Sequence, residues 1–335
     1  MNNKRTKLLD CTLRDGGYVN NWDFGLDNIK TIITGLQNAR IDYIETGFLV
    51  DKKITKNQSL FNKIDEINTI LPQNCDKNRF FAMISYGKFD INRLPEYSDN
   101  LISGIRFIFK KQNLKNALKT CREIKSKGYR LFINPTFINQ YEKEELIELI
   151  RQINQIHPAG FTIVDSTGGL NEKVSAEIFN LSDKYLDKDI CIGFHSHNNL
   201  NLSLENAKVL NSVNTEREII LDCSISGIGR GAGNLSTQEI IQYINSNYNI
   251  KPVQELADKI ILPIRSRNSW GYSIENYYSA KNFCHPYYAR YLAKKNSLPA
   301  DIINKILKNI PDEKKNIYDK DLIENLYNTN LKIKL

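Results

Sequence analysis

The segment LLDCTLRDGGY, residues 8–18, begins with a short apolar run and ends in an arginine, an aspartate, two glycines and a tyrosine. The run Leu8–Leu13 predicts a buried strand, because such strands are short and are bounded by turn residues. The residues that follow it decide between two α/β architectures. A doubly wound sheet would place a glycine-rich dinucleotide turn, G-x-G-x-x-G, directly after its first strand. Residues 14–17 read RDGG instead, which favours a closed (β/α)8 barrel.

Short runs rich in β-branched and aromatic residues recur roughly every 25–35 residues, the length of one βα repeat. Together with the first run they are predicted to be eight strands: Leu8–Leu13, Asp42–Glu45, Arg79–Ile84, Gly104–Phe109, Tyr129–Asn134, Phe161–Asp165, Cys191–His195 and Ile219–Ser224. Eight such units over about 250 residues match an α/β protein of the TIM-barrel type.

Stretches with helical periodicity separate these runs and predict the outer helices of the barrel. The stretches are Asn28–Leu36, Leu60–Ile70, Leu114–Lys127, Lys143–Ile156, Glu172–Leu186, Leu202–Val213 and Thr237–Asn245. A further helix is predicted near Ile91–Ser98, although Pro95 interrupts the pattern.

The character of the sequence changes after Arg265. Trp270–Leu292 is dense in aromatic residues, and helical patterns follow at Ile302–Ile310 and Leu322–Leu331. We therefore predict a TIM-barrel catalytic domain over residues 1–265 and a helical C-terminal extension over residues 266–335. The aromatic surface of this extension would cover the barrel mouth or form a subunit contact, and the second possibility predicts a homodimer.

The composition of the chain argues against several classes of protein and favours one cellular compartment. No apolar run reaches about 18 residues, which argues against a membrane span, and the basic start lacks the apolar segment of a signal peptide. The six cysteines are scattered without a C-x-x-C pair, so we expect reduced thiols in a cytoplasmic protein rather than disulfides or a zinc framework. The net charge of +8 is spread along the chain, which favours an ordinary solvated surface, suited to anionic substrates, over a nucleic-acid site.

Two of the four histidines, His195 and His197, follow one another in an H-x-H pattern at the end of the seventh predicted strand. In extended backbone, residues i and i+2 point to the same side, so both imidazoles can converge on one point. Only the eighth strand separates this strand from the first in a closed barrel, so Asp15 can join them. One carboxylate and two imidazoles would bind a divalent ion and leave positions open for substrate oxygens.

Other strand ends also carry polar or flexible residues. Glu45 ends the second predicted strand, where its carboxylate can pair with Arg14 and hold the guanidinium in place. Ser166 and Thr167 follow the sixth strand, and their hydroxyls can reach substrate oxygens. The loop 226–234 after the eighth strand has four glycines in seven residues, which permits close approach of backbone to an anionic group.

These motifs together resemble the DRE-type TIM-barrel metallolyases, an HMG-CoA lyase-like family. The family includes hydroxymethylglutaryl-CoA lyase, homocitrate and isopropylmalate synthases, and 4-hydroxy-2-oxovalerate aldolase. The matching motifs, in order, are DCTLRDGG at 10–17, IETG at 44–47, VDSTGG at 164–169, FHSHNN at 194–199 and GIGRGAGN at 227–234. The resemblance covers about residues 7–265, and the aromatic extension is most similar to that of the aldolase branch.

The resemblance implies a role for each matching residue. The implied metal ligands are Asp15, His195, His197 and Asn234, the implied catalytic residues are Arg14, Glu45 and Tyr18, and the implied substrate-binding residues are Arg14, Gly16, Ser166 and Thr167. The cofactor would be one divalent metal ion, Mn²⁺ or Mg²⁺ first, with Zn²⁺, Fe²⁺ or Co²⁺ as alternatives. Arg14 would stabilise an enolate.

Two positions depart from related patterns. The aldolases place a histidine shortly after RDG as acid/base, whereas Tyr18 stands here, and a tyrosine with a pKa near 10 is a poor base at neutral pH. The fifth predicted strand ends in FINPTF, residues 132–137, without the lysine that carboxyltransferase relatives carry there. Either a different group transfers the proton or the chemistry differs from that of the aldolases, and carboxylation is disfavoured.

The resulting prediction is a class II, metal-dependent carbon–carbon lyase or aldolase that forms a pyruvate enolate from a 2-oxo acid, with an aldehyde as second partner. Two alternatives stay open. One is Claisen-type chemistry on an acyl-CoA, as in hydroxymethylglutaryl-CoA lyase or homocitrate synthase, which needs a nucleotide-binding surface. The other is a non-catalytic metal-binding subunit that serves a partner enzyme.

Overall fold

The computed structural model describes residues 6–244, 247–295 and 298–332. Within these ranges, nine strands form one parallel sheet: β1 (Thr6–Asp10), β2 (Tyr43–Leu49), β3 (Leu60–Phe61), β4 (Phe80–Ser85), β5 (Gly104–Phe109), β6 (Arg130–Pro135), β7 (Gly160–Asp165), β8 (Cys191–Ser196) and β9 (Ile219–Cys223). Strand β1 pairs with both β9 and β2, so eight strands close into a barrel, and the two-residue β3 lies beside the end of β2. The predicted α/β TIM-barrel fold is confirmed.

Helices surround the barrel and continue beyond it. In the described residues they are α1 (Gly17–Asn20), α2 (Leu26–Asn38), α3 (Leu114–Ser126), α4 (Lys143–Ile156), α5 (Glu172–Tyr185), α6 (Ser203–Ser212), α7 (Thr237–Ile244), α8 (Ile250–Leu256), α9 (Leu262–Arg265), α10 (Ile274–Lys281), α11 (Pro286–Ala293), α12 (Ala300–Lys308) and α13 (Lys320–Lys332). The last residue of the predicted helix Thr237–Asn245 lies outside the described residues. Across the same ranges, no helix combines the length and apolar character that a membrane span requires.

Two predicted outer helices are wrong. Leu60–Ile70 begins with β3 and continues as the 3₁₀ helix Ile64–Ile70, whose buried Ile64, Ile67 and Ile70 are spaced by three residues. This spacing matches the three residues per turn of a 3₁₀ helix. The predicted helix near Ile91–Ser98 is one 3₁₀ turn, Ile91–Arg93, which Pro95 prevents from continuing.

Two strand ends also differ from the prediction, and both shape the rim of the barrel. Strand β1 stops at Asp10, because the backbone then turns so that Asp15 N donates to Cys11 O at 2.8 Å. Strand β2 runs on to Leu49 past a bulge between Glu45 and Phe48, where Gly47 has a φ of 145°. Glu45 therefore lies inside a strand, and its side chain is fully buried.

The C-terminal helices have an apolar cluster of their own. Its buried members are Cys284, Tyr288, Leu292, Ile302, Ile303, Ile306, Leu307, Ile310 and Ile323. These helices touch the barrel mouth through Asn316, whose backbone oxygen accepts from Lys110 Nζ at 3.0 Å and whose amide contacts Gln140. The boundary between residues 265 and 266 stays a prediction, and it coincides with the end of α9.

Candidate metal centre

The predicted ligands lie at the rim formed by the carboxyl ends of the strands. Asp15 follows β1 in the tight turn described above, while His195 lies in β8 and His197 directly after it. The centres of the two imidazole rings are 5.0 Å apart. Asn234 comes from the loop after β9 and forms an isolated antiparallel bridge with His197, which holds this loop against the end of β8.

Asp15, His195 and His197 form a compact and buried set of potential ligands. One ligand atom from each lies within 4.8 Å of the other two, and Asp15 Oδ2 is 3.6 Å from His197 Nε2. All three side chains are nearly inaccessible to solvent. Bonds of about 2 Å to a common ion place two ligand atoms at most about 4 Å apart, so the 3.6 Å pair fits, whereas a separation near 4.8 Å would have to shorten when an ion binds.

Unpartnered buried atoms at the same place indicate that a cation fits. His197 Nδ1 lies 2.9 Å from Asp165 O, a contact that puts the ring proton on Nδ1 and leaves the lone pair of Nε2 free. Among the described residues, neither His197 Nε2 nor Asn234 Oδ1 has a hydrogen-bond partner. Buried acceptors without donors are costly, at about 1–3 kcal/mol each, and a metal ion would satisfy them.

His195 is placed to act as a neutral ligand. Burial lowers its pKa to about 4, so the imidazole carries no proton charge near neutral pH. Asp222 Oδ2 lies 3.0 Å from His195 Nδ1, although the approach is out of line for a hydrogen bond within the described structure. A carboxylate behind a metal-binding imidazole orients the ring and raises its basicity.

Asp15 is held in its charged form. Burial by itself raises the pKa of this carboxyl, but the charge of Arg14 outweighs burial and holds the pKa well below its usual range. Arg14 Nη1 donates to Asp15 Oδ1 at 2.5 Å, and Asn234 Nδ2 donates to Asp15 Oδ2 at 3.0 Å. The carboxylate is therefore ionised and fixed in position.

A buried ionic network connects this carboxylate with the opposite wall of the barrel. Arg14 Nε donates to Glu45 Oε2 at 2.6 Å, and Arg106 Nη1 reaches the same oxygen at 3.3 Å. Arg106 Nη2 also donates to Asp222 Oδ2 at 2.6 Å. Two guanidinium groups and the carboxylates of Asp15, Glu45 and Asp222 leave a net charge of −1, which suits a divalent cation together with one anionic ligand.

Arg106 and Asp222 were missed by the sequence analysis. Both sit in the middle of apolar strand runs, GIRFIF at 104–109 and IILDC at 219–223, and both are about 1% exposed. A charged residue in a run that is otherwise buried needs a partner, since isolated buried charges are expensive. That rule would have identified both residues as unusual, but it would not have predicted that they pair with each other.

Only some of the predicted substrate-binding residues line the cavity at the rim. Ser166 lines the cavity at the rim, and its Oγ accepts from Phe137 N at 2.8 Å. Thr167 is buried beside Asp165 and does not line the cavity, with 3.4 Å between Thr167 Oγ1 and Asp165 Oδ1. Gly16 is also outside the lining; a side chain there would collide with the backbone of Thr12, since an added Cβ would lie 2.3 Å from its oxygen.

The cavity beside the ligands has the size of a small metabolite. Its volume is about 280 Å³, equivalent to roughly nine water molecules at about 30 Å³ each. Arg14, Tyr18 and the ligand triad line it from the barrel, and His285 lines it from the extension. His285 was missed because a lone histidine among aromatic residues carries no metal or catalytic motif.

Tyr18 is packed on several sides. Its ring contacts Trp22 and Phe48 edge to face, and the Arg230 guanidinium lies 5.2 Å from its centre. Burial raises the pKa of the Tyr18 phenol above its ordinary value. The phenol is therefore protonated at neutral pH.

The fold and the site define the class of protein. It is a (β/α)8 barrel with a candidate metal centre, the buried Asp/His/His set, at the carboxyl-terminal ends of its strands. The model of the HMGL-like family matches residues 5–259, and the chain belongs to this family. The predicted HMG-CoA lyase-like relationship is thereby confirmed, and with it, at the level of the family, the predicted metal-dependent lyase class.

Individual relatives agree with the family. The chain is 23% identical to an oxaloacetate decarboxylase from Mycobacterium tuberculosis over 77% of this chain and 75% of the relative. It is 22% identical to a 4-hydroxy-2-oxovalerate aldolase from Geobacillus thermodenitrificans over 77% of this chain and 76% of the relative. The solved N-terminal domain of a Bacteroides vulgatus protein shares the fold, with a TM-score of 0.70, 24% identity, and coverage of 86% of this chain and 96% of that one.

We predict that Asp222→Asn weakens metal binding about 10–100-fold, the usual cost of losing a carboxylate that orients a metal-binding histidine. Titration of the purified protein with Mn²⁺, followed by electron paramagnetic resonance, measures the change. Asp183→Asn is the control, because this carboxylate pairs with Arg217 away from the cavity. An unchanged affinity in Asp222→Asn would contradict a supporting role for Asp222.

Proposed function

We propose that the protein is a divalent-metal-dependent aldolase or lyase that breaks or forms a carbon–carbon bond beside the keto group of a 2-oxo acid. The observation that carries this proposal is the convergence of Asp15, His195 and His197 on one point, with Arg14 beside them in a cavity of metabolite size. The names of the two curated relatives, a decarboxylase and an aldolase of 2-oxo acids, support the same reaction class.

Asp15, His195 and His197 would hold one divalent ion, with Asn234 adjacent as a possible further ligand. Mn²⁺ and Mg²⁺ are the preferred candidates, and the mixed oxygen and nitrogen donors also accept Zn²⁺, Fe²⁺ or Co²⁺. When bound, the ion supplies Lewis-acid polarisation of the keto oxygen. Net charge supports this assignment, because the buried network around the site is one negative charge in excess.

Arg14 would stabilise the negative charge that develops on the keto oxygen as the enolate forms. Its Nε and Nη1 are held by Glu45 and Asp15, so the plane of the guanidinium is fixed before substrate arrives. A donor that needs no reorientation at the moment of reaction is the effective kind. Glu45 acts through Arg14 as a positioning residue, and Arg106 holds Glu45 from behind.

Tyr18 is proposed to deliver a proton to the enolate carbon in the cleavage direction, and by microscopic reversibility its phenolate takes that proton back when the enolate forms. Its phenol lines the same cavity as Arg14 and stays protonated at neutral pH, because burial raises its pKa. A protonated phenol can donate to the enolate carbon or to a departing oxygen. Tyr18 would thus take over proton transfer at the position where the aldolases carry a histidine.

We propose two further properties of the molecule as a whole. A homodimer through the extension is supported by Tyr272 and Phe283, whose large side chains are 56% and 38% exposed. A cytoplasmic location is supported by the six cysteines, all of which are free thiols in the structure.

Removal of a ligand is expected to abolish metal binding and enolate formation together. In Asp15→Ala and His195→Ala, metal content after dialysis should fall at least about tenfold, because each variant loses a direct ligand. Exchange of the methyl protons of pyruvate with deuterated water, followed by NMR, should fall in parallel, since exchange demands an enolate. Normal metal content with normal exchange in both variants would refute the proposed site. Absence of exchange in the metal-loaded wild-type protein would instead favour a non-catalytic subunit.

Tyr18→Phe is expected to keep its metal and to lose rate. Removal of one general acid commonly costs about 10²–10⁴-fold, so pyruvate methyl exchange should slow by at least about a hundredfold at unchanged metal content. Phe48→Leu is a matched control, because it changes the packing around Tyr18 without removing the phenol. Equal exchange rates in Tyr18→Phe and wild type would exclude the phenol as the proton donor.

The dimer is tested by a charge placed in the exposed aromatic patch. Tyr272→Asp should shift the mass measured by light scattering from dimer to monomer, since an interface core does not tolerate an unpaired charge. Tyr243→Asp, on α7 and 40% exposed, serves as the control and should leave the mass unchanged. A monomeric wild-type protein would refute the proposed dimer.

A further inference from the structure

The side of the cavity formed by Lys110, Arg230 and His285 is rich in positive charge. Lys110 directly follows β5, Arg230 comes from the glycine-rich loop after β9, and His285 caps the N-terminus of α11 in the extension. Asp15 is the sole acidic side chain among the described residues that line the cavity. Both oxygens of Asp15 already accept hydrogen bonds, one from Arg14 and the other from Asn234.

Neither Lys110 nor Arg230 has an acidic partner within the described residues. No carboxylate oxygen lies within 4.0 Å of their side-chain nitrogens, whereas the neighbouring Lys111 pairs with Glu145 at 2.6 Å. Lys110 Nζ donates to the backbone oxygen of Asn316, and Arg230 Nε is buried without a hydrogen-bond partner. Two half-buried cations thus face the cavity without neutralisation.

The three groups are close enough to repel one another. Burial lowers the pKa of Lys110, and the charge of Arg230 lowers it further. Burial likewise holds the pKa of His285 well below its usual range, with Arg230 and Lys110 adding to the effect. An anion placed among them would relieve this repulsion.

His285 contributes a hydrogen-bond donor rather than a base. Its Nδ1 accepts from Tyr287 N at 3.2 Å, so the neutral ring carries its proton on Nε2. The backbone holds the residue in place, because His285 N donates to Lys315 O at 2.6 Å. A neutral N–H donor beside two cations is a suitable arrangement for a carboxylate.

We infer that the cavity takes a 2-oxo acid that carries a second carboxylate, which is bound by Lys110, Arg230 and His285. This inference rests on the proposed function, in which the keto and first carboxylate groups are held at the candidate metal centre. The excess negative charge of the buried network is balanced by a divalent ion and that first carboxylate. Lys110 and Arg230 then remain as half-buried cations, with the exposed Lys88 also in the lining, and a second carboxylate would offset part of this positive charge within about 280 Å³.

Binding of an unreactive pair of ligands tests the inference. 2-Oxopentanedioate and 2-oxopentanoate differ by the second carboxylate, and neither has the 4-hydroxyl group needed for aldol cleavage. In isothermal titration calorimetry with Mn²⁺-loaded protein, the dicarboxylate should bind at least about tenfold more tightly, as charge-assisted hydrogen bonds imply. In Lys110→Met and Arg230→Met this ratio should fall towards one.

Lys111→Met is the matched control, because its side chain points to Glu145 and does not line the cavity. It should keep the wild-type ratio. Equal affinities in the wild-type protein would overturn the inference, as would an unchanged ratio in both Lys110→Met and Arg230→Met. A preference for the dicarboxylate that persists when pyruvate exchange is absent would refute the proposed function and support this site. Exchange with equal affinities would refute this site alone.

Discussion

The rest of the candidate site depends on the buried ion pairs that the Glu45 carboxylate makes with two arginines. One of its oxygens accepts from both Arg14 and Arg106, so a single buried atom links the residue beside the candidate ligands with the far wall of the barrel. Removing one partner of a buried ion pair costs about 3–5 kcal/mol, because the remaining charge is left without compensation. The closed sheet holds both groups in place, since Glu45 on β2 and Arg106 on β5 are separated only by β4. The bulge that interrupts β2 begins directly after Glu45.

Much of the fold was predictable from local patterns, and the failures have identifiable causes. Parallel strands are buried on both faces and read as short apolar runs, so all eight barrel strands were located to within a few residues. The runs alone did not reveal where β1 turns away after Asp10 or where β2 continues through a bulge. Leu60–Ile70 was predicted as a helix because isoleucines spaced by three fit both helical types, and only tertiary pairing of Leu60 with Phe48 decides the matter.

The residues of the candidate site also fall into those that the sequence could predict and those that it could not. Asp15, His195 and His197 could be brought together from the sequence, because a closed barrel places the first and seventh barrel strands two positions apart. Arg106 and Asp222 were hidden in apolar runs, where a charge is informative only once its partner is known. His285 lies about ninety residues beyond His195 in the chain, and no periodicity relates the extension to the rim. Contacts of that range arise from packing, which a single sequence does not encode in any short motif.

These two sets of residues also differ in what they can do. Under the proposed function, Asp15, His195, His197 and Arg14 would act on the keto end that all 2-oxo acids share, so they would set the reaction class and not the substrate. Tyr18 lies in the short helix α1 that follows β1, Lys110 and Arg230 lie in loops, and His285 belongs to the extension; all four line the cavity. Loop residues can change without disturbing a barrel, because the strands carry the packing. If the proposed function holds, substrate choice depends on the part of the cavity that the extension completes through His285. A chain with the barrel alone would then be expected to keep enolate chemistry and to lose its preference among 2-oxo acids.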